Sequence, residues 1–278
     1  MSEAPVVDVK TPGLMARFRK QRRRYVKKAG KNSIRVLADF LGRQSRVGDP
    51  PVFDPALFPF LKPLEDNWQA IRAEVDYVLE GREHLPNFQD ISPDQKRIAK
   101  DNRWKTFILY GFKYRSEKNC SHCPVTTRVL EGIPGLQTAM FSILSPGYHI
   151  PAHRGVTKGV IRVHLGLKVP QQRENVRIRV ADQIVHWTEG KIIVFDDTFE
   201  HEVWNDTDEE RVVLLLDFER PMRLPGRVIN WVFLNGIRWT AYVTEAKKNL
   251  NSWEDRFEAA VRRADAIHVD ADKPEKCN

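Results

Sequence analysis

Two histidines lie where strand-like runs of the sequence meet turns. His153 follows the turn-rich segment 145–151, and His201 follows segment 195–200, where another strand-like run ends. Neutral imidazole is a good ligand for divalent iron, and a site with few protein ligands keeps positions open for oxygen chemistry. The pair could therefore bind a metal ion if both strand ends meet at the mouth of one barrel. The alternative is that each is a loop histidine hydrogen-bonded locally.

Basic and apolar side chains alternate in the run 159–167. Arg162 and His164 are two residues apart, so a strand places both side chains on the same face. Arg211 begins another apolar run, ten residues after His201. A buried guanidinium needs an anionic partner, and it binds a carboxylate through two parallel hydrogen bonds. These residues predict a basic cavity that holds a small acidic cosubstrate beside the candidate metal site.

The middle of the chain contains the elements that must position these side chains. Six strand-like runs are separated by Pro, Gly, Asn and Asp residues, and they cover 106–110, 138–144, 159–167, 176–180, 191–195 and 211–218. Because no long helix intervenes, they predict an antiparallel sandwich or jelly roll. The fold class is therefore mainly β, with a jelly-roll core and flanking α-helices.

Helical periodicity flanks the β-rich region. Apolar residues recur at spacings of three and four from Leu64 to Leu79, which predicts one amphipathic helix. A helical pattern returns after Pro221. We therefore divide the chain into a basic N-terminal arm that is partly helical or disordered (1–50), a β-rich core domain (51–222) and a helical C-terminal extension (223–278).

Composition indicates a soluble protein in a reducing compartment. The chain has 278 residues, of which 41% are hydrophobic, and this is enough for a core. We find no apolar run of the roughly 20 residues that a membrane helix needs, and no secretory signal. Cys120, Cys123 and Cys277 are too few for a disulfide scaffold. They also lack the second paired motif of a zinc site, so we expect Cys120 and Cys123 to be free thiols in a loop.

The basic charge is concentrated in one arm. Eleven Lys and Arg residues and no acidic residue lie between Lys10 and Ala38, whereas the formal net charge of the whole chain is +8. The rest of the chain is therefore mildly acidic. An anionic surface is the natural partner of such an arm, and its apolar stripe suits a membrane better than a nucleic-acid groove. The alternative is a solvated tail.

The pattern around these residues resembles a known family. His153-Arg-Gly, Arg162-Val-His-Leu-Gly-Leu, the segment 195–205 and Arg211 closely resemble the aspartyl/asparaginyl β-hydroxylases, over roughly Phe53 to Pro221. The resemblance implies a double-stranded β-helix and an iron(II)- and 2-oxoglutarate-dependent dioxygenase that uses molecular oxygen. The region 51–222 would then be the dioxygenase domain.

The resemblance also implies roles for individual residues. His153 and His201 would be the catalytic iron ligands, and Arg211 would bind the distal carboxylate of 2-oxoglutarate with the help of Ser142. The remaining residues would line the same pocket: Arg162 and His164 at the proximal end of the cosubstrate or at a substrate carboxylate, and Trp104 at the cavity wall.

One position departs from the wider dioxygenase superfamily. The common facial triad has an acid two residues after the first histidine, but Gly155 occupies that position here. An aspartyl hydroxylase branch shares this form, with water completing the iron shell. A nearby acid, Asp196 or Asp197, could serve as the third ligand instead, but the family pattern places both around the ligands or in the turn.

The family divides by substrate. Some members hydroxylate Asp or Asn in proteins, and bacterial members 2-hydroxylate acyl chains of lipids. Five segments resemble the bacterial branch: 55–72, 123–127, 132–135, 139–141 and 219–222. The basic arm and the aromatic, apolar and basic stretch 227–242 also suit the headgroup level of a membrane, although that stretch could instead pack on the barrel.

We therefore predict hydroxylation of a lipid acyl chain. The expected location is cytoplasmic and peripheral on the inner face of the membrane, with residues 10–38 on anionic lipid. Two alternatives stay open. One is a hydroxylase that acts on a protein or peptide, and the other is a non-catalytic nucleic-acid-binding protein with a basic arm, although nucleic acid is not the partner we expect.

Overall fold

Two antiparallel sheets form the core of the protein. The computed structural model describes residues 35–91, 98–99, 101–111, 114–238, 249–250, 252–255 and 257. The strands are β1 (Val52–Phe53), β2 (Trp104–Gly111), β3 (Tyr114–Arg115), β4 (Leu136–Leu144), β5 (Tyr148–His153), β6 (Val160–Lys168), β7 (Val176–Val180), β8 (Gln183–His186), β9 (Ile192–Phe195), β10 (His201–Asn205) and β11 (Arg211–Glu219).

The sheets differ in size. The major sheet has the strand order β1-β9-β6-β11-β4-β2-β3, and the minor sheet has the order β5-β10-β7-β8. This two-sheet antiparallel arrangement confirms the predicted jelly-roll class. All six predicted runs are strands. Three of the four strands of the minor sheet, β5, β8 and β10, were not predicted, because they are short and rich in polar residues.

The helices flank this core. They are α1 (residues 35–44), α2 (Lys62–Asp66), α3 (Trp68–Glu80), α4 (Phe88–Ile91), α5 (Glu117–His122), α6 (Pro124–Glu131) and α7 (Leu224–Arg238). The last of these agrees with the helix expected after Pro221. Most of the basic arm, up to residue 34, lies outside the described residues, as does Cys277. No helix that the structure describes is long and apolar enough to cross a bilayer.

Two predictions about local structure were wrong. The single helix expected from Leu64 to Leu79 is two helices, and Asn67 separates them, with its side-chain amide donating to the carbonyl of Pro63. The apolar face is as predicted, since Leu64, Ile71 and Val75 are buried. Cys120 and Cys123 are free thiols, but they are buried in and beside α5 rather than in a loop.

Alternate residues of the central strands face two different apolar clusters. On β6, Ile161, Val163 and Leu165 pack in the cluster that includes residues of α3 and α6. The intervening residues face the space between the two sheets, where Phe195 and Leu215 belong to a second cluster. His164 contacts that second cluster through Phe195, which confirms the predicted separation of faces along β6.

Candidate active site

A β-bulge brings the two candidate histidines together. His153 ends β5 and His201 begins β10, and the two residues are register partners across the minor sheet. The next partners are Ile150 and Val203, so two residues of β5 oppose Glu202 alone. Such an extra residue redirects the side chains beside it. The two imidazole rings lie with their centroids 4.1 Å apart.

Backbone carbonyls orient both imidazole rings. Nδ1 of His153 lies 2.9 Å from the carbonyl oxygen of Pro151, and Nδ1 of His201 lies 3.0 Å from that of Phe199. Because a carbonyl oxygen only accepts, each Nδ1 must donate, and the lone pair of a neutral ring is then on Nε2. Burial, reinforced by His153, lowers the pKa of His201 to about 3. His201 is therefore neutral at physiological pH, as a metal ligand must be.

Arg211 supplies a buried positive charge deeper between the sheets. Its side chain is 2% exposed, and its guanidinium carbon lies 4.9 Å from the ring centroid of Trp187. Burial lowers the pKa of Arg211 to about 9. Within the described part of the chain no carboxylate forms an ion pair with it, and its Nε has no hydrogen-bond partner there. Such a group fits a site that binds an anionic ligand.

Aromatic rings connect Arg211 with the histidine pair. Phe195 lies 5.7 Å from His201 and 5.0 Å from His164, measured between ring centroids. His164 in turn stacks on Trp187 at 5.9 Å. Both ring nitrogens of His164 are buried without a hydrogen-bond partner among the described residues. Burial, followed by the charge of Arg211, holds the pKa of His164 well below its usual range, so this ring is a neutral donor and acceptor.

Ser142 and Trp104 form a polar contact on the same inner face of the major sheet. The indole Nε1 of Trp104 donates to Ser142 Oγ over 3.0 Å, and Phe88 stacks on Trp104. Ser142 pairs in register with Val213, two residues from Arg211 on β11. Since Oγ accepts from the indole, the hydroxyl hydrogen of Ser142 can turn toward an acceptor in the space between the sheets.

Arg162 differs from Arg211 because its charge is already compensated. Its Nε and Nη2 donate to both carboxylate oxygens of Asp217 at 2.8 and 3.0 Å. Its Nη1 lies 3.1 Å from Asp197 Oδ2. The structure therefore places Arg162 beside the histidine pair as the partner of two carboxylates, with fewer donors left for a ligand than Arg211 has.

Asp197 fills the space beside Gly155. A Cβ atom placed on Gly155 would lie 2.1 Å from Asp197 Oδ1, and the amide of Gly155 donates to the carbonyl oxygen of Asp197 over 2.6 Å. The volume that an acidic side chain at position 155 would need is thus already occupied. Asp196 points elsewhere, to Arg220 and Lys158. Among the described residues, no three His, Cys, Asp or Glu side chains form a group that could hold a metal ion.

The donor set nevertheless fits iron(II) and 2-oxoglutarate. Two imidazoles whose Nδ1 atoms face backbone carbonyls can offer Nε2 to iron, and they leave several coordination positions for a chelating cosubstrate and oxygen. The buried guanidinium of Arg211, which has no acidic partner among the described residues, meets the need of a dicarboxylate for a cationic anchor. The seven site residues predicted from sequence lie on strands that border one inter-sheet space.

Two residues of this site were not predicted from the sequence. Trp187 follows β8 and is completely buried against Arg211 and His164. The sequence pattern did not indicate that Trp187 is buried at the site, because the strand before it, β8, was not predicted. Asp217 could have been found, since it is the one carboxylate in the apolar run 211–218 and shares the alternate register of Arg211.

His149 is excluded from the site by its surroundings. This histidine is on β5, like His153, but its Nε2 lies 2.7 Å from Glu202 Oε1 and its ring stacks on Trp204. Its side chain is 45% exposed. It therefore belongs to the outer surface of the minor sheet.

The sequence of the chain matches a known family over the region that contains this site. The profile of the aspartyl/asparaginyl beta-hydroxylase family matches residues 65–221. An ornithine lipid ester-linked acyl 2-hydroxylase of Rhizobium tropici is 49% identical over 217 residues, which is 78% of this chain and 77% of that protein. The human aspartyl/asparaginyl beta-hydroxylase is 35% identical over 170 residues, which is 59% of this chain but 22% of that protein.

Solved structures with a similar arrangement include a cupin domain of Schizosaccharomyces pombe Cnp3. It has a TM-score of 0.29 and 11% identity, and covers 42% of this chain and 61% of that one. The fold class rests on the two sheets themselves. Fold and site together define a jelly-roll protein with a paired-histidine centre. The chain belongs to the aspartyl/asparaginyl beta-hydroxylase family and is a hydroxylase.

The close fit of Gly155 against Asp197 can be tested by adding one methyl group. We expect Gly155→Ala to displace Asp197 from Arg162 and to lower the free energy of unfolding by about 1–3 kcal/mol, the usual cost of overpacking. Thermal and urea unfolding measure this. Gly236→Ala is the matched control, since no atom lies within 4 Å of its added Cβ. Equal stability of the two variants would contradict the packing described here.

Proposed function

We propose that this protein is an iron(II)- and 2-oxoglutarate-dependent hydroxylase that acts on a lipid acyl chain, most simply at position 2. The observation that carries the cofactor assignment is the buried guanidinium of Arg211, to which no acidic side chain of the described chain is paired, between the same two sheets as the imidazole pair. A dicarboxylate that chelates a metal at one end and needs a cation at the other matches this arrangement.

Each residue has a defined task in this proposal. His153 and His201 hold the metal through Nε2, and their backbone hydrogen bonds keep the rings in the required tautomer. Arg211 binds the distal carboxylate of the cosubstrate, and the Ser142 hydroxyl donates to it. Trp104 orients that hydroxyl.

Two further residues act at the sides of the cosubstrate. His164 would line the pocket between the histidine pair and Arg211 as a neutral donor. Arg162 keeps Asp197 in place beside Gly155, and it borders the proximal end of the cosubstrate.

The bound cofactors supply the oxidising chemistry, in which O2 and 2-oxoglutarate are consumed, succinate and carbon dioxide are released, and one oxygen atom enters a C–H bond. The protein contributes binding, orientation and exclusion of water. The apolar walls formed by Phe195, Trp187 and Leu215 limit access of solvent to the reacting atoms.

The similarity to the Rhizobium tropici protein supports a lipid substrate, since that relative is an acyl 2-hydroxylase and matches 77% of its own length. The second candidate is a protein substrate, supported by the human relative, of which this chain spans 22%.

We further propose a cytoplasmic, peripheral location on the inner face of the membrane, with the basic residues between 10 and 38 on anionic lipid. Membership of a hydroxylase family disfavours the non-catalytic nucleic-acid-binding alternative.

Loss of one imidazole should abolish turnover. We expect His201→Ala, and likewise His153→Ala, to form no succinate above background when supplied with iron(II), 2-oxoglutarate and oxygen, because a single imidazole cannot hold the metal. His149→Ala is the matched control, since His149 contacts Glu202 on the outer surface. Undiminished succinate release by the His201 variant would refute the metal assignment.

Replacement of the buried guanidinium should weaken cosubstrate binding. Arg211→Lys loses the bidentate geometry, and a hydrogen bond to a charged group contributes about 1.5–3 kcal/mol, so we expect about 10- to 100-fold weaker binding of 2-oxoglutarate. Calorimetric titration with manganese(II) in place of iron measures the Kd. Arg177→Lys serves as a control, because Arg177 lies over Trp204 on the outer surface. An unchanged Kd for the Arg211 variant would show that the carboxylate binds elsewhere.

Mass spectrometry of membrane lipids tests the substrate. Cells that express the protein should contain lipids whose acyl fragments are heavier by one oxygen atom, and cells that express the His201→Ala variant should lack them. Fragmentation locates the hydroxyl group on the chain. If the lipids are identical while an Asp or Asn residue of a cellular protein gains oxygen, the protein-substrate alternative holds instead.

A further inference from the structure

Helix α7 exposes an apolar face. Five of the ten large apolar side chains that the described residues expose are on this helix: Leu224, Val228, Ile229, Trp231 and Val232. Trp231 is 59% exposed and Leu224 is 62% exposed. Leu224, Val228, Trp231 and Val232 recur at helical spacing and form one stripe. A contiguous apolar stripe of this kind marks an interaction surface.

The opposite face of α7 is fixed against the rim of the active site. Asn230 is buried and its side-chain amide donates to the carbonyl of Gly159 over 2.9 Å. A Cβ on Gly159 would lie 1.8 Å from Asn230 Oδ1, so the helix and this loop are in close contact. The loop 154–159 connects His153 at the end of β5 with β6, and it exposes Val156 by 66%. The helix that carries the apolar stripe is therefore fixed to the loop that follows His153.

The charges around the stripe are positive. Arg223 and Arg227 are exposed at the start of α7, and Arg43 and Arg46 are exposed at the end of α1, which contacts α7 through Gln44 and Gly226. The sequence contains no Asp or Glu from Arg220 to Thr244. Basic residues are attracted to an anionic bilayer, and Trp favours the interface between headgroups and acyl chains. This combination fits an anionic lipid surface.

We propose that the exposed stripe of α7, together with Val156, docks the protein on an anionic bilayer with the mouth of the His153–His201 site toward the membrane. The inference rests on the proposed action on lipids. It adds that the folded part of the chain, and not only the basic arm, selects the orientation in which an acyl chain can reach the site.

Vesicle binding by the full-length protein tests this docking surface. The probes are phosphatidylcholine vesicles with and without phosphatidylglycerol. Because the variant removes two apolar side chains from contact with the acyl chains, we expect Val228→Ser/Trp231→Ser to bind the anionic vesicles at least about tenfold more weakly than the wild type. Ile184→Ser is the matched control, because Ile184 is 57% exposed on β8 and should not alter binding. Thermal unfolding verifies that each variant is folded.

A second variant separates the helix from the arm. Replacement of Arg22, Arg23 and Arg24 by Gln should weaken binding in a salt-dependent manner, while quenching of Trp231 fluorescence by brominated acyl chains should persist in the bound fraction. The Trp231→Phe variant should lose this quenching, which assigns the signal to Trp231. Wild-type binding by the α7 double variant, or absence of Trp231 quenching in bound protein, would overturn the docking surface. A change from dimer to monomer in that variant would assign the stripe to a second copy of the chain instead.

The two proposals fail in different ways. If the wild type binds anionic vesicles through α7 but forms no hydroxylated lipid, the docking surface stands and the proposed substrate is wrong. If lipid is hydroxylated while the α7 variant binds as the wild type does, the proposed function stands and the docking surface is wrong.

Discussion

The buried charge of Arg211 is the constraint on which the interior of this protein depends. Among the described residues, two core arginines are compensated: Arg162 by Asp217 and Asp197, and Arg220 by Asp196 and Asp49. Arg211 lies over the face of Trp187 but has no carboxylate partner among the described residues, and burial lowers its pKa to about 9. A ligand that binds the folded state and supplies the missing anion therefore also stabilises the fold.

Two adjacent carboxylates hold the turn that leads to His201. Asp196 pairs with Arg220 and Lys158 and accepts from Thr198, whereas Asp197 pairs with Arg162 and occupies the space beside Gly155. Because the two side chains point to different cations, the backbone between β9 and β10 has little freedom to rotate. The same packing leaves the centre with two imidazoles. The metal would therefore be held less tightly than by three protein ligands, but it would have more open coordination positions.

Stability and chemistry are assigned to opposite faces of the same strands. The outward residues of β6 and β11 pack against α3 and α6 in an apolar cluster. The inward residues include Arg162, His164, Arg211 and Asp217, which cost free energy to bury unless paired. The helix-facing cluster can offset this cost, and the space between the sheets is then free for polar groups that bind a ligand.

The alternation that separates these faces can be recognised in the sequence alone. Period two along β6 and β11 is a local property of the extended chain, so Arg162 and His164 could be assigned to one face and the jelly roll could be predicted from six such runs. Which side chains meet depends on how the two sheets pack. The bulge in β5, the contact of Trp187 with Arg211 and the filling of the Gly155 space by Asp197 all involve residues distant in sequence. Such contacts leave no periodic signal, because their geometry exists only once the two sheets have come together.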